Sequence, residues 1–350
     1  MHRNCNPHAG WSRTAGGIGR DSGGSAIRRQ GAAVAAAAAM RSQAMHRSEP
    51  RHARFGSRYV THDSQFGPVE VLELSSAHGT PAAEQAIRAC AARQADASAP
   101  MLSRVVRITR KEQILSVTSI AAPGVSLGDL LAALEFGTVA VGDTALLEAA
   151  GAPAAAQAGM HQWPGAPAHG ALSPCHVMLR GDGSVMLTGS VFGDALEALQ
   201  CNREQLWRIF GVALPPSASL PRFDQRADVT QLGALVLAML LRRMLAPGEY
   251  PKGMIDLVEA ATRSLDVSVR CRSALRMWLQ QTLQLHPKAL FATAGDAARA
   301  LADVVKDVPA RRAASAQLQD AIRQLAGEPI EEPAAASRVE ADQPPPRVIK

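Results

Sequence analysis

The stretch AHGALSPCHVMLRGDGSVMLTGSVFG, residues 168–193, decides how the rest of this chain is interpreted. Two short apolar runs, residues 176–179 and 184–188, flank the segment Arg180-Gly181-Asp182-Gly183. Glycine adopts positive φ angles without strain, so this four-residue segment is typical of a tight hairpin turn. The stretch therefore predicts a loop, a β-hairpin and an exit turn, in that order.

A loop, a hairpin and an exit turn in this order resemble the catalytic loop and metal-binding hairpin of the protein kinase family. The family pattern is H-[RG]-D-[LI]-x-P-x-N, followed by two apolar strands and then D-F-G. The residues that fit it here are His169, Gly170, Leu172, Pro174, Val177 and Leu179. The resemblance implies that His169 and Pro174 support the shape of the loop.

The positions that carry the chemistry in protein kinases differ in this chain. Ala171 stands where the family has the Asp that accepts the substrate hydroxyl proton, and His176 stands where it has a metal-binding Asn. Gly189-Ser190-Val191 stands in place of D-F-G. The positions that we interpret as degenerate are Ala171, Ser173, His176 and Gly189. The resemblance thus implies a loop without catalytic residues and without metal ligands.

A second stretch supports the same resemblance. Residues 226–235, RADVTQLGAL, are similar to the family pattern A-D-[VI]-[WY]-S-[LF]-G-x-x-L, which opens a buried helix extending here to about Leu245. In the family, the Asp at the position of Asp228 bonds backbone amides of the catalytic loop. The resemblance therefore implies that Asp228 supports the loop, although an acid at this place is also typical of an ordinary helix N-terminus.

The amino-terminal part of the kinase-like region resembles the family less closely. Phe66-Gly67-Pro68-Val69 fits the second half of the Gly-rich loop over the ATP phosphates, so Gly67 is interpreted as a vestige of that loop. The family's phosphate-binding lysine lies on the third strand, but the first lysine of this chain is Lys111. Glu84 is the candidate for the Glu of the first long helix that would pair with that lysine. Without the lysine, we interpret Glu84 as an exposed first-turn acid.

The resemblance implies a bilobal α+β fold, with a small β-rich N-lobe and a mainly helical C-lobe of the bacterial Ser/Thr kinase kind. We expect the N-lobe at residues 55–122 and the C-lobe at 123–306, with an additional helix at 307–326. Residues 1–54 and 327–350 are expected to be disordered, because the first is rich in Gly, Ser and Arg and the second in Pro, Ala and Glu.

The composition of the chain limits the classes of protein to which it can belong. The chain of 350 residues is 47% apolar, which is enough for one large core or two smaller ones. Its five cysteines are widely spaced and form no C-x-x-C pair, which favours neither a disulfide framework nor a zinc knuckle. Residues 1–60 hold ten arginines and two acidic residues, so the net charge of +6 lies in the amino-terminal part. This part lacks interleaved aromatic residues, and we expect no nucleic-acid binding.

The apolar runs of the sequence are too short or too weakly hydrophobic to indicate a signal peptide or a membrane-spanning helix. Residues 31–40, GAAVAAAAAM, resemble the core of a signal peptide but are nearly all alanine, and Met40 and Met45 are alternative start sites. Residues 230–241 are the strongest apolar run but fall short of the twenty or so residues that cross a bilayer. We therefore expect no membrane span and a cytoplasmic location.

These observations favour a pseudokinase, a regulatory or scaffolding module that needs no cofactor and binds one or more proteins, with another kinase among the candidate partners. The alternative is an enzyme, either an atypical Ser/Thr kinase or a small-molecule phosphotransferase. It would use ATP and Mg²⁺, with a carboxylate supplied by Asp182, Asp194 or Glu197. A third hypothesis is a nucleic-acid binder that uses its basic arm. The cluster His161, His169, Cys175 and His176 has no zinc-ligand spacing, so we expect no metal site there.

Overall fold

The computed structural model describes residues 51–53, 55–95, 99–163, 168–216, 220–285, 290–306, 308 and 311–327. Nearly all of the expected leader and the expected tail from residue 328 onwards lie outside the described residues. The exception is a strand, Arg51–Ala53, within the range expected to be leader.

The first part of the described chain is a five-stranded antiparallel sheet with strand order β1-β2-β3-β5-β4. The strands are β1 (Arg51–Ala53), β2 (Gly56–Asp63), β3 (Gly67–Leu74), β4 (Val105–Lys111) and β5 (Ile114–Ile120). Helix α1 (Pro81–Ala95) connects β3 to β4 and buries Ile87 and Cys90. The sequence predicts a turn and then a strand in the stretch that follows Tyr59. The turn lies at residues 64–66, and the residues before it form the second half of β2, which pairs with β3 along its whole length.

A three-stranded sheet and two helices follow. Its strands are β6 (Val125–Ser126), β7 (Val177–Leu179) and β8 (Val185–Leu187), and the turn between β7 and β8 is the one the glycines predict. Helix α2 (Leu127–Glu135) begins where the sequence predicts it, because Ser126 Oγ accepts a hydrogen bond from the backbone N–H of Asp129.

Helix α3 (Asp143–His161) differs from the sequence expectation. Gly151 and Pro153 predict a broken or short helix, yet the helix is continuous over 19 residues with Pro153 buried inside it. Eleven of its residues are buried, and it packs against three other helices. Tertiary packing of the helix outweighs the loss of one main-chain hydrogen bond at the proline.

The remaining described elements are helical. They are α4 (Gly193–Ala198), α5 (Arg203–Gln205, continuing as a π-helical turn over Leu206–Phe210), α6 (Gln225–Leu241), α7 (Met254–Arg263), α8 (Val269–Thr282), α9 (Ala294–Lys306) and α10 (Arg311–Ala326). Helix α6 is the centre of this part, since its residues from Ala227 to Leu240 are all buried. Helix α10 is the additional helix that the sequence predicts.

Two clusters of buried apolar residues hold these elements together. One lies within the helical part, around α3, α6, α8 and α9. The other joins the sheet to the helical part and includes Leu72, Val117, Ala171, Phe192 and Phe210. A small β-rich part and a larger, mainly helical part are thus connected by a shared core, which confirms the predicted bilobal α+β fold.

Among the described residues, no helix combines the length and the apolar character needed to cross a membrane.

Candidate functional site

A cavity of about 260 Å³ lies between the sheet and the helical part, and residues from both clusters line it. The sheet contributes Phe55, Arg58, Glu70, Leu72, Val117 and Ser119 to the lining. The helical part contributes two segments, Leu172–His176 and Thr188–Gly189, together with Phe192, Trp207, Gln231 and other residues of α5, α6 and their loops. The loop and the exit turn singled out in the sequence therefore border this cavity, whereas the hairpin between them does not line it.

The side chain of Asp228 hydrogen-bonds the backbone of the loop. Its carboxylate is fully buried at the start of α6 and accepts hydrogen bonds from the backbone N–H groups of His169 and Gly170, both at 2.7 Å. His161 Nε2 donates to the same carboxylate at 2.7 Å. The helix N-cap is a different acid, Asp224, which accepts from two other main-chain N–H groups. Asp228 is therefore committed to the loop and does not cap its own helix.

A second side chain of α6 bonds the loop, and sequence reasoning missed it. Gln231 accepts from the backbone N–H of Leu172 at 2.7 Å and donates to the carbonyl oxygen of Gly170 at 3.0 Å. It lies three residues after Asp228, and residues spaced by three face the same side of a helix. That spacing is the signal that could have identified it.

His169 is fully buried behind the loop. Burial lowers the pKa of its imidazole to about 4, although the neighbouring Asp228 carboxylate opposes this shift. Its Nδ1 accepts the backbone N–H of Ala171 at 3.3 Å, which requires an unprotonated nitrogen at that position. The imidazole is therefore neutral at pH 7, and its contribution is to the shape of the loop.

The loop leaves no space for larger residues at two of its positions. Gly170 has a φ of +69°, and a Cβ atom there would lie 2.4 Å from the Cα of Gly193 at the start of α4. Ala171 is fully buried among the apolar residues that join the sheet to the helical part. Ser173 is also buried, and Pro174 begins a 3₁₀ turn, Pro174–His176, where its missing N–H costs nothing.

His176 and Gly189 are in contact. The His176 ring is held by its Nδ1, which donates to the carbonyl oxygen of Ala171 at 2.6 Å. Gly189 has a φ of +76°, and a Cβ atom there would lie 3.0 Å from the ring. The imidazole thus occupies the space beside Gly189 that a side chain at that position would need.

The sequence analysis missed an ion pair on the sheet side of the cavity. Arg58 on β2 pairs with Glu70 on β3, and both side chains are only 19% exposed. The same guanidinium donates to the carbonyl oxygen of Cys175 at 3.1 Å, so it links the sheet to the loop. Glu70 is therefore the charged side chain that the third strand presents to the cavity. The alternation of Val69, Val71 and the residues between them could have shown which side chains of β3 share a face.

Two other residues named from the sequence lie away from the cavity. Gly67 stands at the turn between β2 and β3 with a φ of +73° and open space around it. Phe55, which lies between β1 and β2, lines the cavity instead. Glu84 is not an exposed acid, because it accepts hydrogen bonds from both Arg88 and Arg110, which lower its pKa.

None of the three carboxylates of the alternative enzyme hypothesis lines the cavity. Asp182 accepts the backbone N–H of Ser184 in the hairpin turn, and Asp194 pairs with Arg93 of α1 at 2.5 Å. Glu197 accepts the backbone N–H of Phe223 at 3.3 Å.

Each of the three histidines considered as metal ligands is hydrogen-bonded to another group of the protein. His161 bonds the Asp228 carboxylate, and His169 accepts the backbone N–H of Ala171. His176 bonds the carbonyl oxygen of Ala171. In the described part of the chain, no group of three or more His, Cys, Asp or Glu residues is arranged to hold a metal ion.

Solved structures of protein kinase domains share this architecture. The kinase domain of maize SIRK1, sucrose-induced receptor kinase 1, bound to AMP-PNP, matches with a TM-score of 0.57 and 14% identity, over 72% of this chain and 91% of that one. The PknI kinase domain of Mycobacterium tuberculosis matches with a TM-score of 0.52 and 17% identity, over 71% and 91%. No family model matches the sequence, and no curated protein matches it. The chain therefore has the two-lobed α+β fold of protein kinase domains.

Proposed function

We propose that this protein is a pseudokinase, a binding module with a kinase-like fold that neither binds Mg²⁺-ATP in the usual way nor transfers a phosphoryl group. The observation that carries the proposal is the position of Arg58, which spans the cleft from β2 to the Cys175 carbonyl and pairs with Glu70. Protein kinases use the third strand to present a lysine to the phosphates. Here the third strand presents the Glu70 carboxylate, which is paired with Arg58, so it offers the phosphates no cation.

The loop supports the same proposal. Phosphoryl transfer depends on positioning and on charge stabilisation by lysine and Mg²⁺. Gly189 supplies no oxygen ligand, and the ring of His176 fills the adjacent space. Ala171 supplies no general base, a group that contributes about 10²- to 10⁴-fold to rate. The residues present thus do not fit a bound Mg²⁺-nucleotide, and the function that remains for the fold is binding.

The role that we propose is regulatory or scaffolding, in the cytoplasm, with protein partners that could include another kinase. The loop is held by Asp228 and Gln231 without a catalytic group, so the fold is maintained independently of catalysis. A loop fixed by these bonds, together with the hydrogen bond from Arg58 to the Cys175 carbonyl across the cleft, would present a constant surface to a partner.

Nucleotide is expected not to stabilise the protein. A ligand that binds only the folded state at one hundred times its dissociation constant adds about 2.7 kcal/mol and raises the melting temperature by several degrees. With millimolar ATP, with and without Mg²⁺, we expect a change below about 1 °C. The measurement is a thermal unfolding scan beside an active kinase domain as positive control. A Mg²⁺-dependent rise of several degrees, or phosphate transfer from labelled ATP, would contradict the proposal.

Placing an acid at Gly189, the degenerate metal position, is expected to lower the stability of the protein without creating a metal site. Gly189→Asp introduces a side chain at positive φ against the His176 ring, which should cost about 1–3 kcal/mol of stability. Gly181→Asp is the matched control, because that glycine faces open space in the exposed hairpin turn. Urea unfolding with and without Mg²⁺ measures both. Stabilisation of Gly189→Asp by Mg²⁺ would show that the site still accepts a cation.

A further inference from the structure

The cavity has a second wall that the proposed function does not use. This helical wall consists of Trp207, Gly211, Ala213, Ala234, Leu235, Ala238, Met244 and Leu245. The segment that connects β5 to β6, residues 121–124, is not part of the cavity lining, so the space extends toward α6 and away from the link between the lobes. A ligand on the helical wall would lie beneath the loop and would contact both hydrophobic clusters.

Small side chains keep this space open. Ala213, Ala234 and Ala238 are each at most 6% exposed and yet border the cavity. Protein interiors are close-packed, and voids larger than a water molecule are few. A leucine at any of these positions would fill part of the volume, so the alanines retain a space of about 260 Å³ in the centre of the molecule.

The main polar and charged side chains that border the space have partners within the protein. The indole N–H of Trp207 donates to the carbonyl oxygen of Ala246 at 3.3 Å, and its ring packs against Tyr250 with 5.0 Å between the ring centroids. The amide of Gln231 is used by the loop, as described above. Arg58 and Glu70 neutralise one another. A charged ligand would therefore be desolvated without a partner of opposite charge, which is strongly unfavourable.

We propose that the cavity binds an uncharged, mainly apolar small molecule with an aromatic ring. Phe55, Phe192 and Trp207 border the space, and aromatic pairs gain energy beyond the area that they bury. Such a ligand would touch Phe55, Leu72 and Val117 from the sheet and Trp207 and Leu235 from the helices. Its binding would therefore stabilise the arrangement of the two lobes. This inference goes beyond the proposed function and does not depend on it.

The test uses the full chain and the uncharged fluorescent probe N-phenyl-1-naphthylamine. We expect saturable binding with energy transfer from Trp207, and binding about tenfold weaker for the anionic probe 1-anilinonaphthalene-8-sulfonate. Ala234→Leu fills the cavity and should weaken binding of the uncharged probe about tenfold or more. Ala260→Leu is the matched control, since Ala260 is exposed on α7 and should leave binding unchanged.

A conservative variant keeps the test decisive if Ala234→Leu fails to fold. Trp207→Phe should retain probe binding under direct excitation but lose most of the tryptophan-sensitised emission. Failure of the uncharged probe to bind, equal affinity for both probes, or an unchanged affinity in folded Ala234→Leu would each overturn the inference. Addition of Mg²⁺-ATP separates the two proposals. Displacement of the probe by nucleotide would contradict the pseudokinase proposal and leave the cavity site standing.

Discussion

Replacing Asp228 by alanine is expected to lower the free energy of unfolding by about 3–5 kcal/mol. The carboxylate is fully buried and accepts three hydrogen bonds, from the backbone N–H groups of His169 and Gly170 and from the ring of His161. Its removal leaves three buried donors without an acceptor. Each unsatisfied buried donor costs about 1–3 kcal/mol, which sets the size of the effect.

The measurement for Asp228 is equilibrium unfolding in urea together with a thermal scan. A loss of this size should lower the melting temperature by roughly 10 °C in a domain of this length. Asp228→Asn retains one acceptor oxygen and is expected to fall between the parent and the alanine variant. Asp256→Ala is the matched control, because Asp256 is also in the first turn of a helix but is exposed, and it should cost no more than about 1 kcal/mol.

The alternative interpretation of Asp228 as an ordinary acid at a helix N-terminus makes a different prediction. In that case Asp228→Ala and Asp256→Ala would have the same small effect. A loss within about 1 kcal/mol for Asp228→Ala would therefore show that the loop does not depend on this carboxylate.

The second large effect concerns pH and His169. Burial lowers the pKa of His169 from the model-compound value of 6.5 to about 4 in the folded protein. Between these values the unfolded chain binds a proton that the folded protein does not, so stability decreases as the pH falls from about 6.5 to 4. One pKa unit corresponds to about 1.4 kcal/mol, and the total loss over this range is about 3 kcal/mol. Above pH 6.5 the contribution is constant.

The contribution of His169 is measured as the slope of unfolding free energy against pH. His169→Phe should remove most of the slope between pH 5 and 6.5, where few carboxylates titrate, whatever its effect on absolute stability. His62→Phe is the control, because His62 is exposed on β2 and its replacement should leave the slope unchanged. An unchanged slope in His169→Phe would show that His169 titrates alike in the folded and unfolded chain.

The elements that the sequence predicts well are those with local causes. The turn at residues 180–183, the Ser126 cap of α2 and the amphipathic helices α7, α9 and α10 each depend on residues a few positions apart. The elements that differ from expectation depend on distant partners. Helix α3 continues through Pro153 because other helices pack on it, and β2 forms because β3 offers a complete partner. The apolar pattern of residues 194–210 predicts one helix, but the structure has two separate helices there, α4 and α5.

In the candidate site, too, some features follow from the sequence itself and others depend on distant partners. The absence of a lysine before residue 111 and the presence of Ala171 and Gly189 at the positions that we interpret as degenerate follow from the sequence alone, because no fold can change the identity of a side chain. The bridge from Arg58 to the Cys175 carbonyl joins residues 117 positions apart, and no sequence spacing foretells it. Only the tertiary structure decided that Arg58 and Glu70 meet in the cleft and that the small residues of α6 leave a cavity. Long-range contacts of this kind depend on how whole elements pack, whereas turns, caps and missing functional groups depend on the residues themselves.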